Sequence, residues 1–90
     1  MAAETSAEIM SFPCDFEVKA MGKASEDFES MVLALVRQQV PELGDSARRT
    51  STSKSGTYLS VTVGFEAQSK DQLDAVYQTL VDEPRVLYAL

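Results

Sequence analysis

The amino-acid sequence predicts an α+β domain of the ferredoxin-like, β-α-β-β-α-β type. Two segments repeat apolar residues every three to four positions, as one buried helix face requires. Two segments alternate apolar and polar residues, as half-buried strands require. Breaks rich in Gly, Pro and Ser separate these segments, and the order of the pieces sets the topology.

Ninety residues make one domain. With 44% hydrophobic and 24% charged residues, the chain has the composition of a globular protein, so a packed core is expected. Residues Met1 to Met10 show no period and are expected to form a flexible N-terminal tail, leaving 11–90 as the single domain.

From Asp15 the first strand places Phe16, Val18 and Ala20 on one face and Asp15, Glu17 and Lys19 on the other, ending at Gly22. Ser25 reads as an N-cap, with Glu26 and Asp27 in the first helical turn, where the helix dipole favours negative charge. Phe28, Met31, Val32, Leu35 and Val36 form one apolar stripe, and Pro41 ends the helix near Val40.

Tyr58 to Ala67 is the clearest strand, with Leu59, Val61, Val63, Phe65 and Ala67 facing inward. Ser53-Lys54-Ser55-Gly56-Thr57 before it is a turn cluster, so a hairpin partner is expected over residues 46–52. That polar, Arg-bearing segment suits an exposed sheet edge. Ser69 with Gln72 reads as a capping box, and Leu73, Val76, Tyr77, Leu80 and Val81 as the second helical stripe. Pro84 closes it. Arg85 to Leu90 makes the last strand, with Val86, Tyr88 and Leu90 on one face.

Two amphipathic helices and four strands can each cover the other's apolar face. The split β-α-β arrangement does so with an antiparallel sheet in order 4-1-3-2 and both helices on one side. The opposite sheet face is then the expected working surface, carrying Glu17, Lys19, Met21, Tyr58, Ser60, Thr62 and Glu66, with Arg85, Leu87 and Ala89 from the last strand. A last strand apolar on both faces is expected to be covered, by a homodimer through that strand or through the open face.

Composition also excludes chemistry. No histidine is present, which removes the commonest general base and metal ligand and every Ser-His or Cys-His arrangement. Cys14 is the single cysteine and has an acidic neighbour, Asp15, so neither an internal disulfide nor an activated thiol is expected. The formal charge of −6 is unevenly placed. Residues 1–45 hold three Lys or Arg against nine Asp or Glu, giving 3 − 9 = −6, and residues 46–90 balance. An acidic chain repels phosphate, so neither nucleic acid nor an anionic membrane is expected as partner. No run of about 18 apolar residues and no basic, apolar leader appear, and the cytoplasm is the expected location.

Candidate ligand-binding residues are Lys19, Tyr58 and Ser60 on the open face, and Gly22, Lys23 and Ser25 in the first loop. There a helix N-terminus can meet a carboxylate or phosphate. No catalytic residue, metal ligand or cofactor is indicated. Copper carriers of this shape place C-x-x-C where this chain has Met21-Gly22-Lys23-Ala24. RNA-binding versions need aromatic and basic residues on the open face. Acylphosphatases need an Asn, and this sequence has none.

Three blocks carry a family resemblance: Phe12-Pro13-Cys14-Asp15-Phe16-Glu17-Val18-Lys19-Ala20-Met21-Gly22, Ser53-Lys54-Ser55-Gly56-Thr57-Tyr58-Leu59-Ser60-Val61-Thr62-Val63, and Pro84-Arg85-Val86-Leu87-Tyr88-Ala89-Leu90. In order and spacing the chain resembles the YbeD-like (UPF0250) family of small uncharacterised bacterial proteins over about residues 9–90. The resemblance implies a fold similar to the ACT-type regulatory domains of amino-acid metabolism, a bacterial cytoplasmic setting and no established catalytic residues. Some relatives lie beside lipoate-attachment genes. Residues 46–52 depart from the family pattern, which often has a proline before the turn. The function expected is a non-enzymatic regulatory module that binds a small metabolite or a partner protein, possibly as a dimer; the alternative is a ligand-free protein–protein adaptor.

Overall fold

The computed structural model describes residues 11–44 and 47–90. The expected tail over 1–10 lies outside the described residues, as does Ser46, the first residue of the expected second strand. Six elements follow in the predicted order: β1 (Cys14–Lys23), α1 (Phe28–Arg37), β2 (Arg48–Thr52), β3 (Tyr58–Ala67), α2 (Lys70–Val81) and β4 (Val86–Ala89).

The four strands form one sheet in the order β2-β3-β1-β4, which is the predicted 4-1-3-2 read from the other edge. All three pairings are antiparallel. The β1–β3 ladder runs unbroken from Cys14 opposite Ala67 to Lys23 opposite Tyr58. Paired residues share a face, so the inward residues of each strand fall in register: Phe16 with Phe65, Val18 with Val63, and Ala20 with Val61. Against them pack Phe28, Val32, Leu33 and Val36 of α1 and Leu73, Val76 and Leu80 of α2, in a single core. Both helices therefore cover one face and leave the other to solvent.

The second strand exists, and the hairpin explains why its polar sequence is held. Arg48 to Thr52 pairs with Val63 to Leu59. Two backbone hydrogen bonds close the turn: Gly56 N–H donates to Ser53 O and Ser53 N–H to Tyr58 O, both at 2.9 Å. Gly56 sits at φ +78°, a conformation that favours glycine.

Local expectations shift at four places. First, Ser25 is not the N-cap of α1. Its hydroxyl donates to Asp27 Oδ1 (3.0 Å) and accepts from Arg85 Nη2 (2.6 Å), and the helix begins at Phe28 with Asp27 at the N-cap position. Second, Gly22 does not stop β1, which continues through Lys23. Gly22 is buried there because the Phe28 ring lies where a side chain would be, 2.5 Å from an ideal Cβ. Third, the buried arc of α1 turns towards β2. Leu33 is buried and Met31 and Leu35 are half-buried, with Leu33 beside Arg37 and Arg48. Val81, the last residue of α2, is 62% exposed rather than part of the buried stripe.

The fourth shift matters most. The β1–β4 register slips between Met21 and Gly22: Met21 pairs with Tyr88 while Gly22 pairs with Val86, leaving Leu87 as an extra residue in a bulge. The alternation expected for this strand is therefore broken. Val86 points into the core as predicted, but Ala89, opposite buried Ala20, turns to the helix side. Tyr88 joins Met21 on the open face, and Leu90 exchanges backbone hydrogen bonds with Lys19 at 2.9 and 2.8 Å and so shares its side.

The capping box of α2 is present in a shifted form. Ser69 Oγ accepts from Gln72 N–H (3.1 Å), and the Gln72 side chain reaches one residue further back, to Gln68 N–H (2.7 Å). Among the described residues no helix is long and apolar enough to cross a membrane.

Candidate functional site

The ladder fixes which side chains meet on the open face. One rung runs Arg49, Thr62, Lys19 and Leu90 across β2, β3, β1 and the end of β4. The next runs Ser51, Ser60, Met21 and Tyr88. Strands lie about 4.8 Å apart, so each rung spans about 14 Å. The β2 side of this surface carries two cations and three hydroxyls. Its β4 side carries Met21, Tyr88 and Leu90. The surface is amphipathic from one edge to the other.

A shallow groove of about 620 Å³ lies over the polar half, bounded by Lys19, Arg49, Ser51, Ser60, Thr62 and Leu90. Beside it a second hollow of about 620 Å³ is lined by Asp15, Glu17, Gly64 and Glu66. Glu17 borders both. Glu17 lies opposite Gly64 on β3, and Arg49 reaches it from β2 across the sheet. Arg49 Nη1 donates to Glu17 Oε2 (2.8 Å) and Nη2 to Oε1 (3.3 Å). The Arg49 hydrogen bonds and charge hold the Glu17 carboxyl below its ordinary value. Lys19 makes no ion pair or hydrogen bond through its side chain among the described residues. It is a cation this face leaves available.

The first loop forms a separate cluster. Lys23, Ser25, Pro84, Arg85 and Leu87 line a cavity of about 320 Å³. Its guanidinium is committed: Arg85 donates to both carboxylate oxygens of Asp27 and to Ser25 Oγ. These bonds, Arg85 first and Ser25 second, bring the Asp27 pKa down to about 2. Asp27 stands at the N-cap position of α1, but its carboxylate is turned to Arg85 and Ser25 and caps no helix N–H.

Of the sequence-predicted residues, Lys19 and Ser60 come together on adjacent rungs, and Tyr58 stands further along the same face, opposite Lys23. Ser25 and Lys23 belong to the loop cavity, while Gly22 faces the core. Arg49, Ser51 and Leu90 were missed as site residues. Arg49 and Ser51 follow from alternation once β2 is paired; the bulge that exposes Tyr88 and orients Leu90 has no local sequence signal. Among the described residues no side-chain polar group is buried and no group of acidic, Cys or His residues is placed to hold a metal.

Comparison with known proteins agrees with this architecture. The chain's fold matches the solution structure of protein HP0495 from H. pylori, with a TM-score of 0.70 over 90% of this chain and 85% of that one, at 15% identity. By sequence it is 38% identical over 86 residues to the UPF0250 protein NE1487 of Nitrosomonas europaea, covering 96% of this chain and 99% of that protein. A UPF0250 protein of Shewanella woodyi is 41% identical over 70 residues, covering 78% of this chain and 77% of the relative. A family model described as "Protein of unknown function (DUF493)" matches residues 7–90. The chain belongs to this family, the UPF0250 proteins, whose function is uncharacterised.

Proposed function

We propose that this chain is a non-enzymatic regulatory module that works by binding a small metabolite on the open face of its sheet. The observation that carries the reading is the pair of rungs around Lys19. An unpaired ammonium and three hydroxyls stand beside an exposed apolar strip on one hydrogen-bonded ladder. Such a surface has donors to orient an anionic or polar group and an apolar strip to hold the rest of a molecule. Its hollows are open and shallow, which suits reversible binding better than enclosed chemistry. The cytoplasm is part of the same reading, supported by the single free Cys14.

A thermal-shift screen of the twenty amino acids and simple carboxylic acids tests it. Ligand at one hundred times its Kd adds about 2.7 kcal/mol, which raises Tm by about 10 °C or more in a domain of this size. Such a shift, lost in Lys19→Glu, supports metabolite binding.

A second reading has its own observation. Leu87, Tyr88 and Leu90 are all exposed at one edge of the sheet, a pattern that favours a protein partner. No stabilisation at millimolar ligand, with a defined partner captured by wild type and lost with Lys19→Glu or Tyr88→Glu, favours that adaptor role.

A further inference from the structure

We infer that Glu17 sets the charge this face accepts, admitting a singly charged anion at Lys19 and turning away a doubly charged one. The inference rests on the open-face reading above. Three charged side chains line the polar groove: Glu17, Lys19 and Arg49. Glu17 and Lys19 are alternate residues of β1, so they share a face about 7 Å apart. Arg49 belongs to the Lys19 rung, with Thr62 between them. Its guanidinium is nevertheless turned to the neighbouring rung, where both terminal nitrogens reach the Glu17 carboxylate, at 2.8 and 3.3 Å.

Support of the sheet does not account for this pair. The Arg49 and Glu17 side chains are 68% and 55% exposed, and exposed ion pairs contribute little to stability. What the pair governs is the field beside Lys19. The other carboxylates on the strands of this face, Asp15 and Glu66, stand opposite one another about 13 Å along the ladder from Lys19. That is beyond the screening length of about 8 Å at physiological ionic strength. Glu17 lies inside it.

A ligand carboxylate held by Lys19 then has an uncharged side and a charged side. Towards Met21 and Tyr88, a second carboxylate would give up water without finding a cation. Towards Arg49 it meets Glu17, already seated on the guanidinium. Repulsion also scales with the ligand's charge. At about 7 Å in water, Glu17 weakens a monoanion about threefold and a dianion about ninefold.

Butanoate and succinate, which differ by one carboxylate on the same four-carbon chain, are the probes. Each is titrated into the 15N-labelled chain at neutral pH and constant, low ionic strength, and read at the Lys19 and Thr62 amides. The wild type is expected to bind succinate no more tightly than butanoate. In Glu17→Gln, butanoate affinity should rise about threefold and succinate affinity about ninefold or more, since Arg49 can then take the second carboxylate. Glu17→Gln combined with Arg49→Gln removes both charges and should return the ratio of the two affinities to its wild-type value, which a purely structural role for the pair does not predict. An unchanged ratio in Glu17→Gln overturns the inference, as does a wild type that already prefers succinate. Butanoate bound at Lys19 with an unaltered ratio removes the role of Glu17 and leaves the open-face reading standing; binding of neither anion by wild type or variant removes both.

Discussion

Arg85, just before β4, closes its guanidinium on the carboxylate of Asp27 at the head of α1, with Nη1 3.0 Å from Oδ2 and Nη2 2.7 Å from Oδ1. Fifty-eight residues separate the two. The pair fixes the last strand against the first helix, and it displaces Ser25 from the capping role its position predicts.

This pair predicts a pH dependence of known sign. Asp27 titrates at about 2 in the folded chain and near 3.8 when unfolded. Between these values the unfolded chain binds the extra proton, so stability rises with pH. The contribution is complete above the unfolded value and is lost as pH falls through about 2. Carboxyl NMR titration should find Asp27 near 2, rising towards 3.8 in Arg85→Gln. An unchanged Asp27 in that variant contradicts the pairing. Both side chains are substantially exposed, so the effect on stability is screened and small.

Gly22 is predicted to be intolerant of the smallest side chain. Gly22→Ala places a methyl against the Phe28 ring and the Arg85 carbonyl. Overpacking of this kind costs about 1–3 kcal/mol, and each kcal/mol lowers Tm by about 4–8 °C in a domain this small. Gly44→Ala, with nothing within 4 Å, should stay within about 0.5 kcal/mol of wild type. Urea denaturation of the two variants distinguishes them. Equal midpoints would contradict the close approach.

The two serines that both read as N-caps should behave differently. Ser69 accepts from Gln72 N–H, so Ser69→Ala should cost about 1 kcal/mol. Ser25 caps nothing, and Ser25→Ala should stay within about 0.5 kcal/mol while raising the Asp27 pKa, since its hydroxyl is one cause of the depression. Chemical denaturation and the Asp27 titration report the two effects separately.

Phe28 is wholly buried and touches the glycine that β1 leaves open for it. Phe28→Ala should cost about 3–5 kcal/mol, enough to unfold much of the population of a marginally stable small domain. Val81→Ser, at a site 62% exposed, should be nearly silent although the two residues read alike in the sequence. Thermal melts followed by CD check both.

The fold was legible because its signals are periodic and local. Alternation over Asp15 to Ala20 and Tyr58 to Ala67 names the buried faces that pair as Val18 with Val63 and Ala20 with Val61. Even the polar β2 was recoverable, since a turn before a long strand demands a partner. What escaped depends on contacts distant in sequence. Ser25 has every local mark of a cap, and only Arg85, sixty residues on, takes it away. The slip at Leu87 reverses Tyr88, Ala89 and Leu90, because one inserted residue exchanges the faces of all that follow. Alternation therefore placed the β1 and β3 residues of the open face, while the last residues of β4 fall on the side opposite to the one it predicts.

The central claim is that ligands act on the sheet face opposite the helices. Amide chemical-shift mapping of the 15N-labelled chain, titrated with each amino acid and simple carboxylic acid, tests it most directly. Saturable shifts are expected at Lys19, Met21, Ser60, Thr62 and Tyr88 with the outer helix surfaces silent. Saturable shifts confined to the exposed sides of α1 and α2 would contradict it.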